Sequence, residues 1–253
     1  MGRFVDIGSF GKGVHNEVPE NRTARRRRGD DGRRIARLPP GGVGRPHHDD
    51  GPLSLAQLQA KLEAQLTARQ TQLDTLTTDV SSSTTLTSSD AATLSASLAT
   101  ETSKVSTVLA GVPTDTLAEL QAARQAMFQD NRAFVVMSPQ VHLTIAADTI
   151  NSNAGTILAN GPTVSAALTA READQGYARA EELFAFSTAK ATVAQSTMTS
   201  VSVNVLAQTP AGWPANERVF VQARIEILRA RFDLALARAD LRLVESWINR
   251  NPS

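Results

Sequence analysis

Residues 223–243 read Ala223-Arg-Ile-Glu-Ile-Leu-Arg, Ala230-Arg-Phe-Asp-Leu-Ala-Leu, Ala237-Arg-Ala-Asp-Leu-Arg-Leu: three consecutive seven-residue units with Ala, Arg, an acid and Ile or Leu in fixed places. A period of seven belongs to a long helix that packs along its length, because 3.5 residues per turn keeps one face toward a neighbour. One seam runs Phe220, Ala223, Ile227, Ala230, Leu234, Ala237, Leu241, Val244 and Ile248, in alternating steps of three and four with small alanines against larger residues. A second apolar line, Ile225, Phe232, Leu236, Ala239 and Leu243, falls on roughly the opposite side of the helical wheel. The expectation is a final helix over about residues 215–249 with neighbours on two sides.

Upstream of this stretch, Gln208-Thr-Pro-Ala-Gly-Trp-Pro214 reads as a loop, and residues 163–206 return to helix through Val164, Leu168, Tyr177, Leu183, Phe184 and Val193. Ser and Thr become frequent after residue 187, which weakens the helical signal there. Asn160-Gly161-Pro162 reads as a strong stop. A helix beginning at Thr114 approaches it, with Asp115 and Glu119 near its positive end, and passes Pro139 as a kinked, nearly continuous rod to about Ala159. Further upstream, Leu94, Leu98, Val105, Val108 and Leu109 mark a helix capped by Ser88 or Ser89 and ended by Gly111 and Pro113. Leu55, Leu58, Leu62, Leu66, Leu73, Leu76 and Val80 mark the first helix, over residues 54–80. The predicted fold is all-α: a bundle of about five long antiparallel helices with coiled-coil-like packing.

The composition agrees with thin, closely packed layers. Hydrophobic residues make up 41% of the 253, but aromatic ones only 4%, so Ala, Leu and Val carry the apolar content. Cysteine is absent, which excludes disulfides, thiolate metal sites and a cysteine nucleophile. No run of about 18 apolar residues predicts a membrane span. The first residues lack the apolar region of an export signal.

Residues 1–52 are a different material, and with them the chain divides into a tail and a helical domain over residues 53–253. The tail holds eleven Lys and Arg against seven Asp and Glu, a balance of +4, while the rest holds fifteen against eighteen, a balance of −3. It is rich in Arg, Gly and Pro without apolar periodicity, the composition of a disordered segment. Arg25, Arg26, Arg27, Arg28, Arg33 and Arg34 form a cluster that would release counterions on binding phosphates, and they are the candidate nucleic-acid contacts of an alternative reading. Asp30, Asp31, Asp49 and Asp50 dilute that charge, and no aromatic residues are interleaved for base stacking.

No catalytic constellation emerges. Three of the four histidines lie in the tail, and His142 stands alone in a helical stretch. His47-His48-Asp49-Asp50 is too flexible a set for a specific metal site. No Glu-x-x-His pair occurs, which argues against a di-iron bundle. Gly8-Ser-Phe-Gly-Lys-Gly13 is too short for a phosphate loop. Glu181, Glu182, Asp174 and Arg179 read as a solvated helix face. Catalytic, cofactor-binding and metal-ligating residues are therefore expected to be none, and no cofactor or small-molecule substrate is indicated.

Thr209-Pro-Ala-Gly-Trp-Pro-Ala-Asn216, the Ala-Arg-Ala-Asp-Leu-Arg repeats after it, and Asn131-Arg-Ala-Phe-Val-Val-Met-Ser-Pro-Gln-Val-His-Leu-Thr-Ile-Ala-Ala-Asp148 resemble a group of uncharacterised secreted α-helical proteins of high-GC Gram-positive bacteria, over roughly residues 53–250. The resemblance implies a helical fold and an extracellular or envelope location, although residues 1–52 depart from the signal peptide with which that group begins. It brings no activity and no catalytic residue. Taken as written, without such a leader, the chain would be cytoplasmic. The expected function is a non-enzymatic structural or interaction protein whose partners, a second copy included, are other helices.

Overall fold

A computed structural model describes residues 54–252, the side chains of 128–131 excepted. The basic tail over residues 1–52, with Arg25, Arg26, Arg27, Arg28, Arg33 and Arg34, lies outside the described residues. Within them the chain forms five α-helices: α1 Leu55–Ser82, α2 Ser88–Gly111, α3 Leu117–Thr169, α4 Tyr177–Leu206 and α5 Glu217–Arg250, with one 3-10 turn at Pro210–Gly212 before α5. The all-α expectation holds, and consecutive helices run antiparallel.

Each of the first three helices starts where a side chain takes up free backbone donors. Ser54 and Gln57 form a reciprocal capping box at α1, as do Thr116 and Glu119 at α3. At α2 the cap is Thr87, whose hydroxyl accepts the Asp90 N–H at 3.1 Å, rather than the expected Ser88 or Ser89. A threonine sitting between the Ser/Thr run and the first apolar turn satisfies the same rule one residue earlier.

The 53-residue α3 is the frame, about 80 Å long at 1.5 Å per residue. Along its first half α1 runs in the same direction: Gln59 donates to the Val112 carbonyl, Arg69 to the Met127 carbonyl, and Thr85 meets Thr149 at 2.7 Å. Because the Thr149 hydroxyl proton is committed to the Ile145 carbonyl, Thr85 is the donor of that last pair. Leu62, Leu66, Leu73, Leu98, Val112 and Leu120 close a first core between α1, α2 and α3. Along the second half, α4 and α5 pack over Ala147, Ile150 and Ala154 of α3, with Ala191, Ala194 and Met198 of α4 facing Ala223, Ile227 and Leu234 of α5. Alanine against a larger residue is what the low aromatic content requires. A third, smaller core at the far end joins Leu168, Ala180, Val244 and Ile248.

Two boundaries differ from the sequence-based expectation. Asn160-Gly161-Pro162 does not stop the helix; α3 runs through Pro139 and Pro162 to Thr169. A helical Pro costs about 3 kcal/mol and a Gly about 1. Beyond them Val164, Ala167 and Leu168 are drawn into the third core with Tyr177, Phe184, Val244, Trp247 and Ile248, burial worth more than the two local penalties together. The break falls instead at residues 170–176, ending on Gly176 with φ of +89°. Helix α4 also persists through its Ser/Thr-rich second half. Several of its hydroxyls donate back along the helix, Thr192 to the Thr188 carbonyl, Thr199 to the Gln195 carbonyl and Ser200 to the Ser196 carbonyl, so they do not pull the backbone out of register.

Candidate interaction surface

The side chains of α5 divide into two opposite faces. The seam read from the heptads is buried as expected, at Phe220, Ala223, Ile227, Ala230, Leu234, Ala237, Val244 and Ile248, with Leu241 partly buried. The second line is not. It was expected to meet a second neighbour, yet Ile225, Phe232, Leu236, Leu243 and Ala239 all face outward, joined by Val221 and Leu228. No helix of the described residues covers them. At about 100° per residue, Val221, Ile225, Leu228, Phe232, Leu236 and Leu243 fall within an arc of about 80°, opposite the buried seam. Their exposure runs from 37% at Leu236 to 64% at Phe232. Fully burying a side chain of this size is worth about 1.5–3 kcal/mol, so among the described residues the stripe leaves several kcal/mol unrealised. A contiguous apolar band of this kind marks an interaction site more often than chance exposure does.

Charge flanks the stripe asymmetrically. The arginine of each heptad, Arg224, Arg231 and Arg238, lies along one edge and is exposed; Arg242 continues that edge. The acid of each heptad, Glu226, Asp233 and Asp240, lies along the other edge and is half-buried toward the bundle, with exposed Arg229 between these acids and the stripe. Asp233 is held there by Lys190 of α4 at 2.7 Å, and Glu226 accepts from Gln222 at 2.9 Å.

The rest of the described surface offers less. Exposed His142 lies 3.4 Å from half-buried Asp79, an ion pair when the histidine is protonated. Among the described residues no group of His, Cys, Asp and Glu is close enough to hold a metal ion. An open groove of about 640 Å³ lies beside the α3–α4 turn, lined by Leu168, Tyr177, Phe184 and Val193. Ser165, Thr169, Thr188 and Thr192 also line it, and the Tyr177 hydroxyl donates to Glu181 at 3.2 Å; loss of water and the neighbouring carboxylate both raise the phenol above its usual range. A phenol more reluctant to ionise than usual is a poor acid, and it stays protonated at neutral pH.

Buried polar groups on α3 serve the fold. Gln140 donates to the carbonyls of Val205, Leu206 and Gln208 at 3.1, 3.3 and 2.7 Å, closing the exposed end of α4. Asp148, 3% exposed, accepts from the Thr87 N–H at 2.9 Å and from the Ser202 hydroxyl at 3.0 Å, tying the start of α2 to α4 through α3. Neither residue carries a signal in the sequence alone, since a polar side chain in an apolar run looks the same whether it faces water or a helix end. Leu228, by contrast, was within reach of a sequence reading, three residues after Ile225 and four before Phe232.

No helix of the described residues is long and apolar enough to cross a membrane. Compared with known proteins, the chain matches no family model, no curated protein and no solved structure.

Proposed function

We propose that this chain is a non-enzymatic interaction protein that presents the outward face of α5 to a helical partner, in coiled-coil-like pairing. The observation that carries the reading is the stripe from Val221 to Leu243, apolar, half-exposed and regular over the length of a helix. Helix-in-groove and helix-on-helix recognition use anchors at this three-and-four spacing. The same reading places the protein at the cell envelope or outside the cell, supported by the resemblance of residues 131–148 and 209–216 to secreted helical proteins. A photo-crosslinking residue placed at Leu228 in the native source tests it, with Thr78 on the exposed side of α1 as control. Protein adducts are expected from position 228 and not from 78; an absence of adducts at 228 overturns the reading. The arginine-rich tail carries the second reading, a nonspecific nucleic-acid anchor through Arg25, Arg26, Arg27, Arg28, Arg33 and Arg34. That reading requires binding that falls steeply with salt and disappears on deleting residues 1–52.

A further inference from the structure

We infer that the occupant of the α5 face is a second copy of the same chain, paired parallel and in register about a two-fold axis along the helix. The inference rests on the proposed use of this face and adds the identity and direction of the partner.

Three observations lead to it. The stripe spans residues 221–243, about 33 Å or just over three heptads, the length over which a paired-helix seam is sustained. From Val221 through Ile225 and Leu228 to Phe232 its spacing is the four-three alternation of a paired-helix seam; the next step, to Leu236, is four again, so the stripe continues to Leu243 within the same arc but off the strict heptad. The charges then choose among partners. A two-fold axis parallel to α5 sets the Arg224, Arg231, Arg238 edge of one copy beside the Glu226, Asp233, Asp240 edge of the other, on both sides of the seam. Arginine and acid lie two residues apart within each heptad, about 3 Å along the axis, well within the reach of an arginine side chain. An antiparallel pair would instead set arginine against arginine and acid against acid. Arg229 on the acid edge is the exception; the three acids still outnumber it there, so the parallel pairing is favoured by charge and the antiparallel one, with its facing arginine rows, disfavoured. Residues 1–53 do not fit the same face, having no apolar three-and-four run and a positive balance that would meet the arginine edge.

The test uses the full chain. Sedimentation equilibrium is expected to give twice the monomer mass of 27.0 kDa, with Phe232→Glu and Leu228→Glu each weakening the dimer at least tenfold while circular dichroism stays helical. A monomer at tens of micromolar, or a dimer indifferent to both substitutions, overturns the inference. The chain has no cysteine, so single cysteines report direction cleanly. Ser246→Cys, beyond the centre of the stripe and exposed, is expected to oxidise to a disulfide-linked dimer. A mixture of Val221→Cys and Ser246→Cys that cross-links to each other, while Ser246→Cys alone does not, overturns the parallel arrangement. Adducts from position 228 into another protein, with the pure chain monomeric, remove the second copy and leave the interaction reading standing.

Discussion

Asp90 shows how one carboxyl can be pulled two ways. It stands in the first turn of α2, where the helix dipole and the Thr87 hydroxyl both favour the ionised form. Burial disfavours that form, and the carboxylate of Asp148 from α3 adds like-charge repulsion; together they prevail and raise Asp90 above the ordinary carboxylate range. A carboxyl whose folded value exceeds its unfolded value holds its proton more tightly when folded. Its contribution to stability is therefore full at low pH and drains away as pH climbs through the raised value. Glu119, held down by the Thr116 backbone N–H and hydroxyl, has the opposite sign: its contribution is full above the ordinary glutamate value and is lost as pH falls through the lowered one. Urea unfolding of Asp90→Asn between pH 4 and 7 is expected to lack the decline that Asp90 contributes, gaining on the parent as pH rises. A constant difference across that range would show that Asp148 and burial do not act on Asp90.

Helix ends illustrate what local sequence conveys and where it fails. The capping boxes at Ser54 and Thr116 were near the starts expected from spacing, because a cap and its helix are neighbours in the chain. The false stop at Asn160-Gly161-Pro162 and the missed break at residues 170–176 have one cause, the third core. Leu168 on one side of the break and Ala180 on the other reach Val244 and Ile248, more than sixty residues away, and no local rule knows they are there. The polar run Arg171-Glu-Ala-Asp-Gln-Gly176 did carry a signal, a glycine after a run that has lost its apolar period. Gly176 adopts φ of +89°, and a Cβ there would come within 3.0 Å of the Trp247 indole nitrogen, which itself donates to the Gln175 carbonyl at 3.1 Å. Gly161 is an ordinary helical position whose Cβ would find Phe184 at a comfortable 3.9 Å. The two glycines should therefore respond oppositely to alanine. Gly176→Ala is expected to destabilise by about 1–2 kcal/mol and Gly161→Ala to stabilise by about 0.5–1 kcal/mol. Chemical denaturation of both variants checks this, and a loss at Gly161 would mean that α3 and α4 cannot accept even a methyl at that crossing.

At the scale of the whole molecule, the sequence carried the helix count and the buried seam of α5, and it carried the second apolar line without its fate. Spacing alone cannot distinguish a stripe covered by the same chain from one left for another, since both need the same residues at the same steps; only the course of α3 and α4 decides that none of the described residues reaches the far side of α5. That course also couples the cores. Met137 and Val141 of α3 belong to the core with α1 and α2, while Val136, Leu143 and Ala147 belong to the core with α4 and α5, so the two clusters interleave on successive turns of one helix. No linker exists at which α3 could part. Both tryptophans sit away from α1 and α2, Trp213 against the α3–α4–α5 core and Trp247 against the far-end core, and so report the opposite half of the molecule. Leu98 of α2 is 1% exposed, and Leu98→Ala should cost about 2–5 kcal/mol by leaving a cavity in the first core. If α3 binds the halves into one cooperative unit, the tryptophan-fluorescence and circular-dichroism transitions of this variant, measured at one protein concentration, move together to lower denaturant. A fluorescence midpoint that stays with the parent while the dichroism transition splits would show instead that the first core melts alone.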